Sequence, residues 1–419
     1  MIVILFTHSY PYDVAVEQTF LYPEIEVLSR NFDQIIIVPE IAEGNLASLP
    51  GNVEVATSLA TFENSFTAKL RYSFKALLSS LFSQELRNRP SLLYQPDLLK
   101  LLLLYLKKVV KIQLWFNEFM IQRRLEQSDT ILYTYWLGYS STGLGLAKNT
   151  YNKIKLVSRT HRSDLYENEM NADYMPCREQ TLEGLDLLCP DSNAGVEYII
   201  KRYPWFVPRC ELSRMGVFAP GFVTKCSTDG IFRIVSCSFL IPRKRIDLLL
   251  SGIEMIARMH PEKLFEWNHI GDGPLRKMIE DRATEILPGN VTFHVRGYLP
   301  PHKMMAFYKE NPVDVFVNVS NSEGTPVSLM EAASCGIPMI ATAVGGNVEI
   351  VSDKNGMLLE ADPSSEQVAH AILHILKNPS VADQMRTESY QVWQRKYHAS
   401  QNYQHFADRL KFVRKPSSP

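Results

Sequence analysis

The feature that most constrains this chain is a rhythm of short apolar runs separated by longer amphipathic segments. The runs fall at residues 2–6, 34–38, 53–56, 130–134, 154–159 and 186–189. A second set follows at 232–237, 265–270, 291–296, 314–319 and 338–342. Many are continuously apolar instead of alternating, as in "MIVILF" and "DQIIIVP". Strands of that kind are buried on both faces, which happens when helices cover both sides of a parallel sheet. Strand–helix repetition of this type predicts an α/β protein with doubly wound sheets.

The rhythm breaks twice. Residues of about 60 to 126 are poor in strand signals and rich in Leu, Lys and Arg, so a helical insertion is expected there. Residues 204 to 230 carry Pro204, Pro208, Gly216, Pro220, Gly221 and Gly230 and read as a linker. From about residue 380 the chain is polar and helical. The expected division is therefore 1–213, 214–390 and a final helix in 391–419 that packs back toward the first domain. A length of 419 residues suits two cores better than one. Two such sheets in series would face each other across a cleft at their carboxyl ends.

Composition excludes several classes. Apolar residues make up 46% and charged ones 21%, an ordinary globular balance. The net charge of -1 gives no electrostatic case for nucleic acid as the partner. The six cysteines are scattered with no C-x-x-C spacing, which favours reduced thiols and a cytoplasmic setting over disulfides or a zinc site. "MIVILFTHSYPY" lacks a basic leader and reads as a first strand, not as a signal peptide. "LLYQPDLLKLLLLYLKKVVKIQLWF" (92–116) is broken by Asp97, Lys100, Lys107, Lys108 and Lys111, and falls short of the ~20 apolar residues of a membrane span. The insertion has two readings: extra core packing, or a basic face resting on an anionic membrane at the inner surface of the cell.

The chemistry concentrates in "SEGTPVSLMEAASCGIPMIATAVGGNVEIV" (322–351). Thr325 is expected to cap a helix with Pro326 in its first turn. Free N–H groups at the helix start, near residues 325–328, form an anion site suited to phosphate. Glu323 stands just before that site, and Glu331 lies one turn beyond Val327 on the same face. Neither acid should hold phosphate, so their targets are hydroxyls on either side of it. A diphosphate between two polyhydroxyl groups is a nucleotide sugar. The plain alternative makes Glu323 a loop acid and Glu331 a solvated helix residue. Against it, Leu329, Met330, Ala332, Ala333 and Ile337 give Glu331 an apolar neighbourhood, where a carboxylate needs a partner.

The same stretch resembles the signature of retaining glycosyltransferases of family 4, which have the two-domain GT-B fold. The resemblance continues, in the family's order, through "FLIPRKRIDLLLSGI", "WNHIGDGPLRKMIE" and "VTFHVRGYLPPHKMMAFY". It extends more loosely to "SRTHRSDLYE" and "HSYPYDVAVEQTFLYPEIEVLSR" in the first domain. It implies that Glu323 contacts donor-sugar hydroxyls, Glu331 the ribose and Lys244 the diphosphate. Gly324, Thr325, Pro326, Val327 and Ser328 would line the donor site, and Gly297 and Tyr298 the base. Ser238 stands where the family often has an arginine, so Arg243, Arg245, a first-domain residue or the helix start would have to substitute. By resemblance His161 faces the sugar. Arg162 and Asp164 follow it, Asp164 doubling as a cap for the next turn. The first loop has no glycine to let backbone approach phosphate. Ser9, Tyr10 and Glu17 are accordingly assigned to acceptor or lid contacts.

The resemblance further implies a metal-independent transferase of the bacterial surface-polysaccharide or lipopolysaccharide type. It would use no cofactor beyond the nucleotide-sugar donor, with UDP-sugar favoured over GDP-sugar. Its acceptor would be a glycan or polyprenyl-linked glycan. No D-x-D triplet of metal-binding type is present. Two rivals remain open: a nucleotide-sugar epimerase of the same fold, and a catalytically silent nucleotide-sugar-binding subunit.

Overall fold

The computed structural model describes residues 1–14, 17–151, 153–167 and 173–413. The chain forms two compact units: Met1–Arg214 together with the chain from Tyr403 onward, and Met215–Asn402 between them. The break at 214/215 lies within the Pro- and Gly-rich linker of the sequence.

The first unit contains β1 (Ile2–Thr7), α1 (Glu17–Leu28), β2 (Gln34–Pro39), β3 (Val53–Val55), α2 (Ser58–Thr61), α3 (Phe66–Leu77), α4 (Ser80–Asn88) and α5 (Pro96–Arg123). It continues with β4 (Thr130–Thr134), α6 (Tyr139–Ala147), β5 (Ile154–Thr160), α7 (Arg162–Leu165), α8 (Arg178–Gly184), β6 (Leu187–Pro190) and α9 (Asn193–Arg202). The second unit runs β7 (Ile231–Cys237), α10 (Ile246–Met259), β8 (Leu264–Ile270), α11 (Arg276–Ile286), β9 (Val291–Val295), α12 (Pro301–Glu310) and β10 (Val315–Asn318). Then come α13 (Val327–Ser334), β11 (Met339–Thr342), α14 (Asn347–Ile350), β12 (Gly356–Leu359), α15 (Ser365–Lys377) and α16 (Pro379–Val392). The last helix, α17 (Ala399–Phe412), starts in the second unit and ends in the first.

Each sheet has six parallel strands, ordered β3-β2-β1-β4-β5-β6 and β12-β11-β10-β7-β8-β9. The orders are equivalent, each reversing direction beside the unit's first strand. Within β1, Ile4 and Phe6 enter one apolar cluster while Val3 and Leu5 enter another. Both sheet faces are therefore covered, which explains the unbroken apolar runs. Ile112, Trp115, Phe116 and Phe119 of α5 pack on one face, and Phe406, Ala407 and Leu410 of α17 on the other. Arg159, fully buried, fastens that second face. Its Nε lies 3.1 Å from Glu24 Oε2, its Nη1 donates to the Ser213 carbonyl at 2.6 Å, and its guanidinium sits 4.2 Å from the Phe406 ring centre.

The expected insertion is the helical stretch α2 to α5. The sequence missed β12, an edge strand of four residues that begins with glycine. No helix among the described residues is long and apolar enough to cross a membrane.

Candidate functional site

In an open parallel sheet, ligands bind beyond the carboxyl ends of the strands where the order reverses. In the second unit those strands are β7 and β10, paired through Val315 with Ile234 and Phe316 with Val235. The loop after β7 carries Ser238, Arg243 and Lys244, and the loop after β10 carries Glu323. The topology thus joins residues 79 positions apart: Lys244 Nζ donates to Glu323 Oε1 at 2.6 Å. Both side chains are nearly buried, 13% and 9% exposed. Asn318, the last residue of β10, donates to the same oxygen at 3.1 Å. Burial works to raise the Glu323 carboxyl, but the Lys244 charge and these hydrogen bonds outweigh it and hold the group below its usual range. A lysine ammonium has three donors, so Lys244 keeps two beyond the one given to Glu323.

Gly345 and Gly346 explain why this loop lies where it does. A Cβ on Gly345, whose φ is +48°, would stand 1.8 Å from the Glu323 carbonyl oxygen. Gly346 N–H donates to the Gly324 carbonyl at 2.7 Å. The "GGNVE" turn is thus the bed on which Glu323 and Gly324 rest.

The helix start differs from expectation. Pro326, not Thr325, occupies the cap position of α13, with φ -74° and ψ 118°, and no side chain caps the helix. Proline's extended ψ delays the helix by one residue and leaves Thr325 too far back to reach its first amides. Thr325 Oγ1 is buried without a hydrogen-bond partner among the described residues. The amides of Val327 and Ser328 therefore have neither an intrahelical acceptor nor a cap, and the positive end of the helix is open.

Glu331, on the same helix, is buried at 7% exposure. Its carboxylate has no hydrogen-bond or ion-pair partner among the described residues, and burial alone pushes it up to about 8. The solvated alternative for this residue does not hold. Cys237 at the end of β7 and Tyr308 of α12 are close enough to feel its charge.

Ser238, in the arginine position, directs only a weak hydroxyl contact to the Phe239 carbonyl at 3.3 Å. Its own carbonyl accepts from His269 Nε2 at 3.1 Å. His269 Nδ1 faces Ser236 Oγ at 2.9 Å, and Trp267 Nε1 donates to that hydroxyl at 2.9 Å. This chain fixes one tautomer, and burial brings the imidazole down to about 4, keeping it neutral. Of the substitutes for the missing arginine, Arg245 is already committed. Its guanidinium bonds the carbonyls of Val319, Ser320 and Ala361 and the carboxylate of Asp362. The Arg243 side chain is exposed and has no partner among the described residues. Gly271 of "GDGP" donates to the Gly297 carbonyl at 2.8 Å, and the Tyr298 ring beside it is 62% exposed.

In the first unit, His161 follows β5 and is 8% exposed, with neither ring nitrogen hydrogen-bonded among the described residues. It packs against Tyr135 and Trp136, with ring centres 4.6 and 4.7 Å away. Burial first, and the Arg159 charge second, bring it down to about 3, so the ring is neutral. Asp164 accepts from the Leu137 and His161 amides at 2.7 and 2.6 Å and from Thr160 Oγ1 at 2.8 Å. It caps the turn that Arg162 opens, and both of its carboxyl oxygens already accept hydrogen bonds.

Ser9, Tyr10 and Glu17, assigned to acceptor or lid contacts, are all buried. The Glu17 carboxylate folds back to accept the amides of His8, Ser9 and Tyr10 at 3.0, 2.6 and 2.8 Å, and Trp136 Nε1. Ser9 and the Tyr10 ring are fully buried, the ring within the apolar core. Burial is invisible in a loop sequence of mixed polarity. Asn318 and His269 went unnoticed because each lies within a run read as a strand; a polar residue near the carboxyl end of such a run is the signal that could have marked them.

Among the described residues, no group of three or more His, Cys, Asp or Glu side chains is placed to hold a metal ion.

Residues 229–392 match the family model described as "Glycosyl transferases group 1". One component of the phosphatidylinositol N-acetylglucosaminyltransferase of Arabidopsis thaliana is 34% identical over 35% of this chain and 31% of its own length. The putative colanic acid biosynthesis glycosyltransferase WcaL of Escherichia coli K12 is 28% identical over 49% and 51%. The chain thus spans about a third to a half of these curated relatives. Two solved structures share the whole two-unit architecture. The lipopolysaccharide outer core galactosyltransferase WaaB, in its apo form, has a TM-score of 0.68, 14% identity and 98% and 99% coverage. Anabaena Alr3699/HepE in complex with UDP has a TM-score of 0.65, 16% identity and the same coverage. At these identities the likeness establishes the GT-B fold.

Proposed function

We propose that the chain, whose residues 229–392 match the glycosyl transferases group 1 and whose fold is GT-B, moves a sugar from a nucleotide-diphosphate donor to a hydroxyl of a glycan or lipid-linked glycan. The observation that carries this reading is the grouping at β7, β10 and α13. A cation with spare donors and an uncapped helix start stand beside two acids, one of them buried without a partner. Cation and amides suit a diphosphate. The two carboxylates suit hydroxyls of the sugar and the ribose.

The proposed reaction uses those placements. As the bond from the anomeric carbon to the diphosphate oxygen lengthens, negative charge gathers on the diphosphate. Lys244 Nζ and the Val327 and Ser328 amides stabilise it. The acceptor oxygen attacks from the same face and its proton passes to the departing phosphate oxygen, so configuration is retained. No protein carboxylate acts as nucleophile, and no metal ion is required. Orientation by Glu323 supplies the remainder. His161, neutral and with both ring nitrogens open, contributes a hydrogen bond to a donor or acceptor hydroxyl. UDP-sugars are the favoured donors, in keeping with the UDP-bound HepE structure. WcaL and WaaB are named for colanic acid and lipopolysaccharide work, which supports a polysaccharide or lipopolysaccharide acceptor.

The test is a panel of UDP- and GDP-sugars incubated with the purified chain in EDTA, with and without a membrane-lipid extract, reading nucleotide release and glycosylated product. Release that needs one donor plus extract, and vanishes in Glu323→Ala and Lys244→Ala, supports the reading. Isomerisation of the donor without extract would assign an epimerase. Donor binding without turnover in any mixture would assign a silent binding protein.

A further inference from the structure

The helix α3 carries two apolar stripes. Ala68, Tyr72 and Ala76, each four residues apart, are buried against α5 in a local cluster. Phe66, Leu70 and Phe74 repeat with the same spacing on another face and are 81%, 62% and 63% exposed. Leu77 and Leu78 extend that stripe at 47% and 70%. Beside it runs a groove of about 360 Å³ lined by Leu77, Leu99, Leu103 and Leu104, with Lys100 and Lys107 at its edge. A continuous exposed apolar surface of this kind marks a docking site, because single scattered apolar residues do not line up at helical spacing.

Charge says what docks. Between residues 66 and 111 the sequence has nine Lys or Arg and two Asp or Glu, whereas the whole chain has 44 against 45. The segment is thus strongly positive within a chain that is close to neutral. Lys69, Lys75, Lys100 and Lys107 form no ion pair among the described residues, while Arg71 is paired with Glu63. A protein partner would have to supply an apolar ridge and several acids together. A bilayer with anionic phospholipids supplies both everywhere on its surface. An apolar stripe flanked by lysines is the pattern of a helix that lies in the lipid interface.

We infer that α3 and the first half of α5 form a docking surface for an anionic phospholipid bilayer. Phe66, Leu70, Phe74 and Leu78 enter the boundary between headgroups and acyl chains, and Lys69, Lys75, Lys100 and Lys107 meet lipid phosphates. The inference stands apart from the glycosyl-transfer reading, because it is tested by lipid binding and not by turnover.

The experiment is flotation of the full chain with vesicles of phosphatidylcholine alone and of phosphatidylcholine mixed with phosphatidylglycerol, at low and high salt. The chain is expected to float with the mixed vesicles, not with phosphatidylcholine alone, and to be released by salt. The variant F66S/L70S/F74S should lower partitioning more than about tenfold, since each large side chain contributes on the order of that factor when buried. The variant K69Q/K75Q/K100Q should lower it by roughly fivefold per charge. All substituted residues are exposed, so both variants should keep the wild-type circular dichroism spectrum and UDP affinity, which separates lost docking from misfolding. Failure of the folded wild type to float with mixed vesicles overturns the inference, as does unchanged flotation of F66S/L70S/F74S. A wild-type dimer that this variant converts to monomer in sedimentation assigns the stripe to a second copy of the chain and also overturns it.

Discussion

Glu331 should make the second unit less stable than it could be, and the size of the effect follows from its surroundings. The carboxyl is buried without a partner and sits at about 8, against an ordinary 4.5. Between those values the folded chain keeps the proton while the unfolded chain has released it. Stability therefore falls as pH rises, by about 1.4 kcal/mol per unit, and levels off above the folded value. At pH 7 the interval covers two and a half units, which gives a cost of about 3 kcal/mol. The variant Glu331→Gln removes the titration but keeps the shape and one acceptor. It should gain about 3 kcal/mol at pH 7 and on the order of 5 kcal/mol at pH 9, with almost no gain near pH 4.5. For a unit of this size that is roughly 6–12 °C in the midpoint at pH 7.

The assay is thermal and denaturant unfolding of wild type and Glu331→Gln from pH 4.5 to 9. The transition that UDP shifts is the one to follow, since it reports the second unit. In the same variant UDP affinity should fall at least about tenfold, because an amide cannot accept from two neighbouring hydroxyls as a carboxylate does. A gain in stability with a loss of binding is the signature of a residue kept for its ligand. The reasoning is refuted if Glu331→Gln is less stable than wild type at pH 7, or if the difference between them does not change with pH.

Lys244→Ala should leave Glu323 buried without its cation and destabilise the same transition by about 3 kcal/mol, and adding Glu323→Gln should restore most of it; a double-mutant cycle in urea measures the coupling. His161, held at about 3 against an ordinary 6.5, makes the first unit lose stability as pH falls through that window, because only the unfolded chain takes up the proton. His161→Phe should flatten the acid limb of first-unit unfolding, and the wild-type imidazole should titrate in NMR only near pH 3. Glu17→Ala should cost about 3 kcal/mol or more in first-unit unfolding, since three amides, those of Ser9 and Tyr10 buried, lose a charged acceptor. Added inorganic phosphate should recover part of that loss in the variant and leave wild type unmoved.

The strands were legible because burial on both faces writes itself as unbroken apolar runs, and the two-sheet organisation followed from their repetition. β12 was not, since four residues headed by a glycine carry too little periodicity. The site was legible where chemistry is local: Glu323, Glu331 and the helix start lie within nine residues, and Lys244 entered by resemblance. The Lys244–Glu323 pair was not, because its partners are 79 residues apart and meet only through the register of β7 and β10. Thr325 was misplaced for a local reason. Its side-chain type suits a cap, but proline in the next position moves the helix start beyond its reach.

Two sheets of equivalent strand order use the same topological position in opposite ways. In the second, the loops after β7 and β10 pair a cation with Glu323, just before a helix start whose Val327 and Ser328 amides have no acceptor among the described residues. In the first, the loop after β1 also turns three successive amides toward one point, but Glu17 fills it with the protein's own carboxylate. An anion could bind there only by displacing a buried acid already joined by four N–H donors, Trp136 among them. A geometry suited to phosphate is thus open in one unit and closed from within in the other. The ring of Trp136, held by Glu17, then packs on His161, so the internal carboxylate fixes the wall against which the unpartnered imidazole at the end of β5 stands. In the first unit an anion site has become a support, which leaves hydroxyl recognition by His161 as the chemistry its strand ends can still offer.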